Sequence, residues 1–154
     1  MRPIHACALA VGMLVLGSVA AADESADKKA LKELEGTYLL VAAEGKGVNV
    51  TEADLKKVPD ADRKLVVKGE QITTYFNGKE NPATVRLNAS QTPAHIDFTV
   101  TKDGKTDVNY GIYKLENGVL TICALEKGDA KDRPKEFKAA GKEYLMVLKK
   151  HDAK

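Results

Sequence analysis

Residues 106–137 read TDVNYGIYKLENGVLTICALEKGDAKDRPKEF, and this stretch decides the fold. Tyr113-Lys114-Leu115 and Val119-Leu120-Thr121-Ile122 flank Asn117-Gly118. Asn-Gly readily takes the positive φ values that a two-residue hairpin turn requires, so the segment predicts two long antiparallel strands. A charged loop follows and closes on Arg133-Pro134-Lys135-Glu136-Phe137.

The same rhythm extends to both sides. His95-Ile96-Asp97-Phe98-Thr99-Val100 alternates polar and apolar residues, which predicts a strand with one buried and one wet face, and Asp103-Gly104 turns it into Asp107–Leu115. Upstream, Lys64–Lys68 passes through Gly69-Glu70 into Gln71–Phe76, and Asn77-Gly78 leads to a strand around Ala83–Asn88. Thr37–Ala43 is apolar enough for a first strand covered on both faces, and Glu143–Lys149 is the closing strand. Two short helices are expected: Glu24–Leu34, with Ser25 or Asp27 as cap, and Thr51–Val58, with Thr51 as cap and Asp54 answering it. Glu44–Gly47 is expected to be a turn.

This counts to eight strands, joined mostly by turns too short for a parallel crossover. The expected fold is therefore all-β with short helices, an eight-stranded antiparallel up-and-down β-barrel, because closure removes the edges of an open sheet. A six-stranded or sandwich arrangement is the alternative.

The first 22 residues are of another kind: Arg2, an apolar run from Ala6 to Ala20, and Ala20-Ala21-Ala22 before Asp23-Glu24. This pattern predicts a secretory signal over 1–22, a single domain over 23–154, and an exported protein, periplasmic or extracellular, without a membrane span after cleavage. Cys7 stands at the start of the apolar run, where a lipid anchor would not be placed. Cys123 is then the one cysteine of the mature chain, so no intramolecular disulfide braces it. Loss of Arg2 with the leader takes 24 basic residues to 23, against 22 acidic, a net charge of +1. Such a mixed surface carries no nucleic-acid footprint.

Leu34-Glu35-Gly36-Thr37-Tyr38 after a short helix, Gly111-Ile112-Tyr113, Leu120-Thr121-Ile122-Cys123, the Arg133–Phe137 loop and Leu145-Met146-Val147-Leu148-Lys149 come in a telling order. Over residues 28–150 the chain resembles a lipocalin-like domain family of exported planctomycete proteins. The resemblance implies a lipocalin-like barrel and brings no ligand or activity with it. Against the wider lipocalins, Tyr38 stands at the position of their first-strand tryptophan, and the closing strand lacks an arginine to pack over it. No lipocalin ligand class is carried over.

Constellations specific to a reaction are missing from the sequence. His95 and Asp97 share a strand face, but the other mature histidine, His151, lies in the tail, so no metal site is assigned. Ser25 and Ser90 lack a nucleophile elbow. Asn49-Val50-Thr51 and Asn88-Ala89-Ser90 match the glycosylation pattern by chance. The reading is non-enzymatic, with no catalytic residue and no cofactor.

Residues of one parity form the expected interior: Tyr38, Leu40, Ile72, Phe76, Val85, Leu87, Ile96, Phe98, Tyr110, Ile112, Met146 and Leu148. An eight-stranded barrel is either filled by such side chains or left with room for one small ligand. The leading expectation is a monomeric carrier of a small apolar or amphipathic ligand, touched by Tyr38, Leu40, Ile72, Phe76, Leu87, Phe98, Tyr110, Ile112 and Met146, with the Tyr38 and Tyr110 hydroxyls orienting it. The alternative is a protein-interaction or inhibitor domain that acts through Glu44–Gly47 and Gly128–Phe137 on a filled barrel. In the second loop, Arg133 is expected to pair with Glu136, and Phe137 to plug a barrel end.

Overall fold

The computed structural model describes residues 19–151. The expected leader lies outside the described residues except for its last four positions, which belong to helix α1 (Val19–Leu34). Among the described residues no helix is long and apolar enough to cross a membrane.

The strands are β1 (Gly36–Gly45), β2 (Val48–Val50), β3 (Arg63–Lys68), β4 (Gln71–Phe76), β5 (Lys79–Asn88), β6 (Ala94–Lys102), β7 (Lys105–Glu116), β8 (Val119–Leu125) and β9 (Glu143–Lys150). β1, β3 and each later strand in turn pair antiparallel with the next, and β9 returns to β1, which closes an eight-stranded barrel. Its connections explain the order. At Asn117-Gly118 the φ values are 51° and 76°, the mirror-image turn whose twist matches that of the flanking strands, and Lys46-Gly47, Asn77-Gly78 and Asp103-Gly104 repeat it.

One strand was not legible in the sequence. β2 pairs with Ala43–Gly45 of β1 on the edge that β3 takes further down, so the expected Glu44–Gly47 turn is the tip of a small hairpin. Helix α2 (Glu52–Leu55) follows, and its Asp54 carboxylate accepts from the Thr51 amide at 3.0 Å and the Thr51 hydroxyl at 2.7 Å. Leu55 and Val58 lean on the core from there.

β1 and β9 do not pair evenly. Leu40 faces Leu148 and Ala42 faces Val147, so Val41 is an extra residue, a bulge that bends β1 and switches its parity. Tyr38 and Leu40 point inward before it, and Ala43 packs inward after it. Further along, a Cβ on Gly45 would stand 2.7 Å from the Glu143 carbonyl, so only glycine lets the two backbones come this close.

The two ends of the barrel differ. The start of β1, the β3–β4 turn, the β5–β6 loop, the β7–β8 turn and the end of β9 form the first end, and α1 covers it. Leu34 is 2% exposed there, with Ala30 and Leu31 packed beside it. Three hydrogen bonds tie the lead-in down: Tyr38 Oη donates to the Leu34 carbonyl at 3.0 Å, the Ala89 amide to Asp27 at 2.7 Å, and the Gly69 amide to Glu35 at 3.2 Å. Burial, with Asp27 and Glu33 nearby, pushes the Tyr113 phenol under the helix up to about 12.

If α1 is a stopper and not an appendage, Leu34→Ala should lower the unfolding free energy by about 2–4 kcal/mol in urea, the cost of a buried cavity. Val48→Ala, at a side chain 56% exposed, should stay within about 0.5 kcal/mol of the parent.

Candidate functional site

Directly opposed residues in an antiparallel pair share a face, so the register states which side chains enter the lumen. Val85 opposes Phe98, Ile96 opposes Gly111, Phe98 opposes Asn109, and Ile122 opposes Met146. Toward the first end the lumen is solid: Tyr38, Leu65, Ile96, Leu120, Ile122 and Leu148 are at most 1% exposed.

Toward the second end the filling stops short. A cavity of about 150 Å³ opens among Leu65, Ile72, Thr74, Asn81, Pro82, Ala83, Phe98, Val100, Asn109, Tyr144 and Met146, which come from β3, β4, β5, β6, β7 and β9. Leu65, Ile72 and Phe98 are its buried apolar members, and Asn81 is an exposed residue at its rim. Its polar groups are two asparagine amides and two hydroxyls, and none of the lining residues carries a charge. Burial pushes the Tyr144 phenol up to about 12, so the ring keeps its proton at neutral pH.

Of the residues expected to touch a ligand, Ile72, Phe98 and Met146 line this cavity. Leu40 and Leu87 belong to the buried core, and Phe76 packs half-buried against it. Tyr38 is fully buried, and its hydroxyl is engaged by the Leu34 carbonyl, so it does not orient anything in the lumen. Tyr110 and Ile112 correct the sequence reading. Ile112 opposes His95 and Cys123, and Tyr110 opposes Asp97, all on the outer face, while Asn109, Gly111 and Tyr113 take the inward positions of β7. β7 is apolar on both faces, so its pattern did not reveal its parity. Tyr144 was readable: it shares parity with Met146 and Leu148, and an extension of that series by one step reaches it.

The outer face of β7 is covered by the 126–142 connection, whose anchor is Arg133. Its Nη1 donates to Asp97 at 2.5 Å, to the Gly111 carbonyl at 2.6 Å and to the Ile96 carbonyl at 3.5 Å, and the guanidinium lies 5.3 Å from the centre of the Tyr110 ring. This corrects the expected Arg133–Glu136 pair. Phe137 does not plug a barrel end either, since its ring lies 5.4 Å from the amine of Lys114, an outward residue of β7. The connection is a strap across the wall. Beneath it Cys123 is fully buried, its thiol donates to the Lys138 carbonyl at 3.5 Å, and burial pushes its pKa up.

His95 adjoins the anchor. Burial and then the Arg133 charge lower its pKa, and Asp97 partly opposes them. Among the described residues no three His, Cys, Asp or Glu side chains gather as metal ligands.

Arg133→Met should release the strap. The expected result is a loss of about 1.5–3 kcal/mol, typical of hydrogen bonds to a charged group, with faster reaction of Cys123 toward an aromatic disulfide under native conditions. Unchanged thiol kinetics would mean that the strap holds without its anchor. For His95 the sign follows from its lowered pKa. Below the ordinary value of 6.5 the unfolded chain binds a proton that the folded chain resists, so His95 makes stability fall with pH down to its folded pKa and no further. Replacement His95→Gln should flatten the dependence between neutrality and that lower limit, read from urea midpoints.

No family model matches the chain, and no solved structure matches it.

Proposed function

We propose that this protein is an exported, lipocalin-like carrier whose barrel takes a small apolar molecule, or the apolar end of an amphipathic one, through its second end. One observation supports this above the others: a barrel stoppered by α1 at the first end keeps an apolar cavity of about 150 Å³ at the second. A well-packed protein interior leaves few voids larger than a water molecule. Here side chains from six strands stop short of one another at one place that opens to solvent.

The binding mechanism is transfer. A ligand that enters the cavity leaves water for contact with Leu65, Ile72, Phe98 and Met146, at about 25 cal/mol per Å² of apolar area removed from water. Little rearrangement opposes this, because the lining stands on paired strands, and the ordering cost of a mobile site is avoided. The rival reading, a loop-borne interaction domain, has less support. Val48 is the exposed large hydrophobic residue beside the Glu44–Gly47 loop, and a single such side chain is no apolar patch.

The test is native mass spectrometry of the protein purified from its own cell envelope without detergent. A reproducible bound species is expected on the parent, with a polypeptide mass that lacks residues 1–22. Ala83→Leu, which extends a side chain into the cavity, should remove the bound species and leave stability unchanged or higher by about 0.5–2 kcal/mol. A bare parent mass under gentle conditions would turn the search toward the loops.

A further inference from the structure

We propose that the luminal cavity selects uncharged ligands of one-ring size that carry a hydrogen-bonding group, and that the Tyr144 hydroxyl recognises that group. The inference rests on the lumen being a binding site and goes further, to the chemistry of what it holds.

Size sets the first limit. A cavity of about 150 Å³ matches the volume of a dry engineered void that takes up benzene. It is well below the ~300 Å³ at which pockets for drug-sized molecules begin. A long acyl chain does not fit within it; one ring, or a branched chain of similar bulk, does.

Charge sets the second. None of the lining residues is ionised at neutral pH, so a carboxylate or an ammonium group would lose its hydration with no counter-ion to replace it. The inward rows do reach cations at the rim: Arg63 on β3, its side chain 13% exposed, is already paired with Asp60 and donates to the Leu40 carbonyl, while Lys79 on β5 and Lys102 and Lys105 on the β6–β7 turn are exposed and share that position with Asp107. In water their pull on an anion is weak and is screened further by salt.

Polarity sets the third. Thr74, Asn81, Asn109 and Tyr144 supply neutral donors and acceptors around the apolar floor. Tyr144 is the large one among them, and among the described residues its hydroxyl has no hydrogen-bonding partner. It stands next to Met146 on the inward face of β9, and Met146 in turn opposes Ile122 of β8. A phenol both donates and accepts, so it suits a ligand alcohol, carbonyl or amide equally.

Four probes of nearly one size separate these limits: benzene, benzyl alcohol, benzoate and benzylammonium, each titrated into the full chain and followed by amide correlation NMR. Benzene and benzyl alcohol should shift the amides of Ile72, Ala83, Phe98 and Met146, with benzyl alcohol bound about two- to tenfold more tightly, the worth of one neutral hydrogen bond. The charged probes should bind at least about tenfold more weakly than benzyl alcohol. In Tyr144→Phe, benzene should still bind and the advantage of the alcohol should vanish. Benzoate or benzylammonium bound as tightly as benzyl alcohol would overturn the selection for neutral ligands and leave the lumen as the binding site. An undiminished alcohol advantage in Tyr144→Phe would overturn the role of Tyr144. If none of the four shifts the luminal amides, the binding reading of the barrel falls, and this inference with it.

Discussion

The structure depends on the ladder between β1 and β9, strands more than a hundred residues apart at their starts that pair from Tyr38–Lys150 to Gly45–Tyr144. The other barrel strands pair with the next barrel strand along the chain, from β3 to β8 through local turns or a short loop, while β1–β3 spans the β2 hairpin with α2 and β8–β9 spans the strap. This ladder alone turns a twisted meander with two open edges into a barrel without them. It also demands an irregularity. The bulge at Val41 lets β1 serve β3 with its first half and β2 with its last while it stays hydrogen-bonded to β9, and Gly45 allows the backbone contact at the far end.

Closure gives the lumen its two unlike ends. At the first, α1 delivers Leu34 onto the core, and the Tyr38 hydroxyl reaches back to the helix carbonyl. At the second, the loops and α2 lean on one side of the mouth and leave the β4 to β7 side open, where the side chains of Ala83, Thr74 and Asn109 are too short to meet across the lumen. The cavity is thus a consequence of residue size on a rigid frame. Had Leu stood at Ala83, the same backbone would enclose a filled core.

The strap solves a different problem. β7 and β8 carry apolar side chains on both faces, and a barrel wall of that kind would leave Ile112, Cys123 and Leu125 in water. Arg133 fastens the cover by donating to Asp97 and to the backbone carbonyls of Ile96 and Gly111, so one planar cation satisfies acceptors from two adjacent strands. His95 stands in the same outward row, where burial and the Arg133 charge hold its pKa down.

The sequence by itself determined the strands of the barrel, their order and their antiparallel sense, because each rests on information a few residues long: an Asn-Gly or Asp-Gly turn, a period of two, a helix ended before Gly36. Most of the inward residues were legible for the same reason, wherever one face of a strand is polar, as in His95–Val100. The tertiary structure alone decided the rest. Tyr110 and Ile112 lie outside because the register with β6 places Gly111 opposite Ile96, and no local pattern can tell which face of a doubly apolar strand a distant loop will cover. Arg133 found Asp97 and not Glu136 because a partner 36 residues away in sequence is brought beside it by the wall, whereas the near one is only a neighbour in the chain. The cavity was settled last, since its volume is the difference between a barrel radius set by closure and the summed lengths of side chains from six strands.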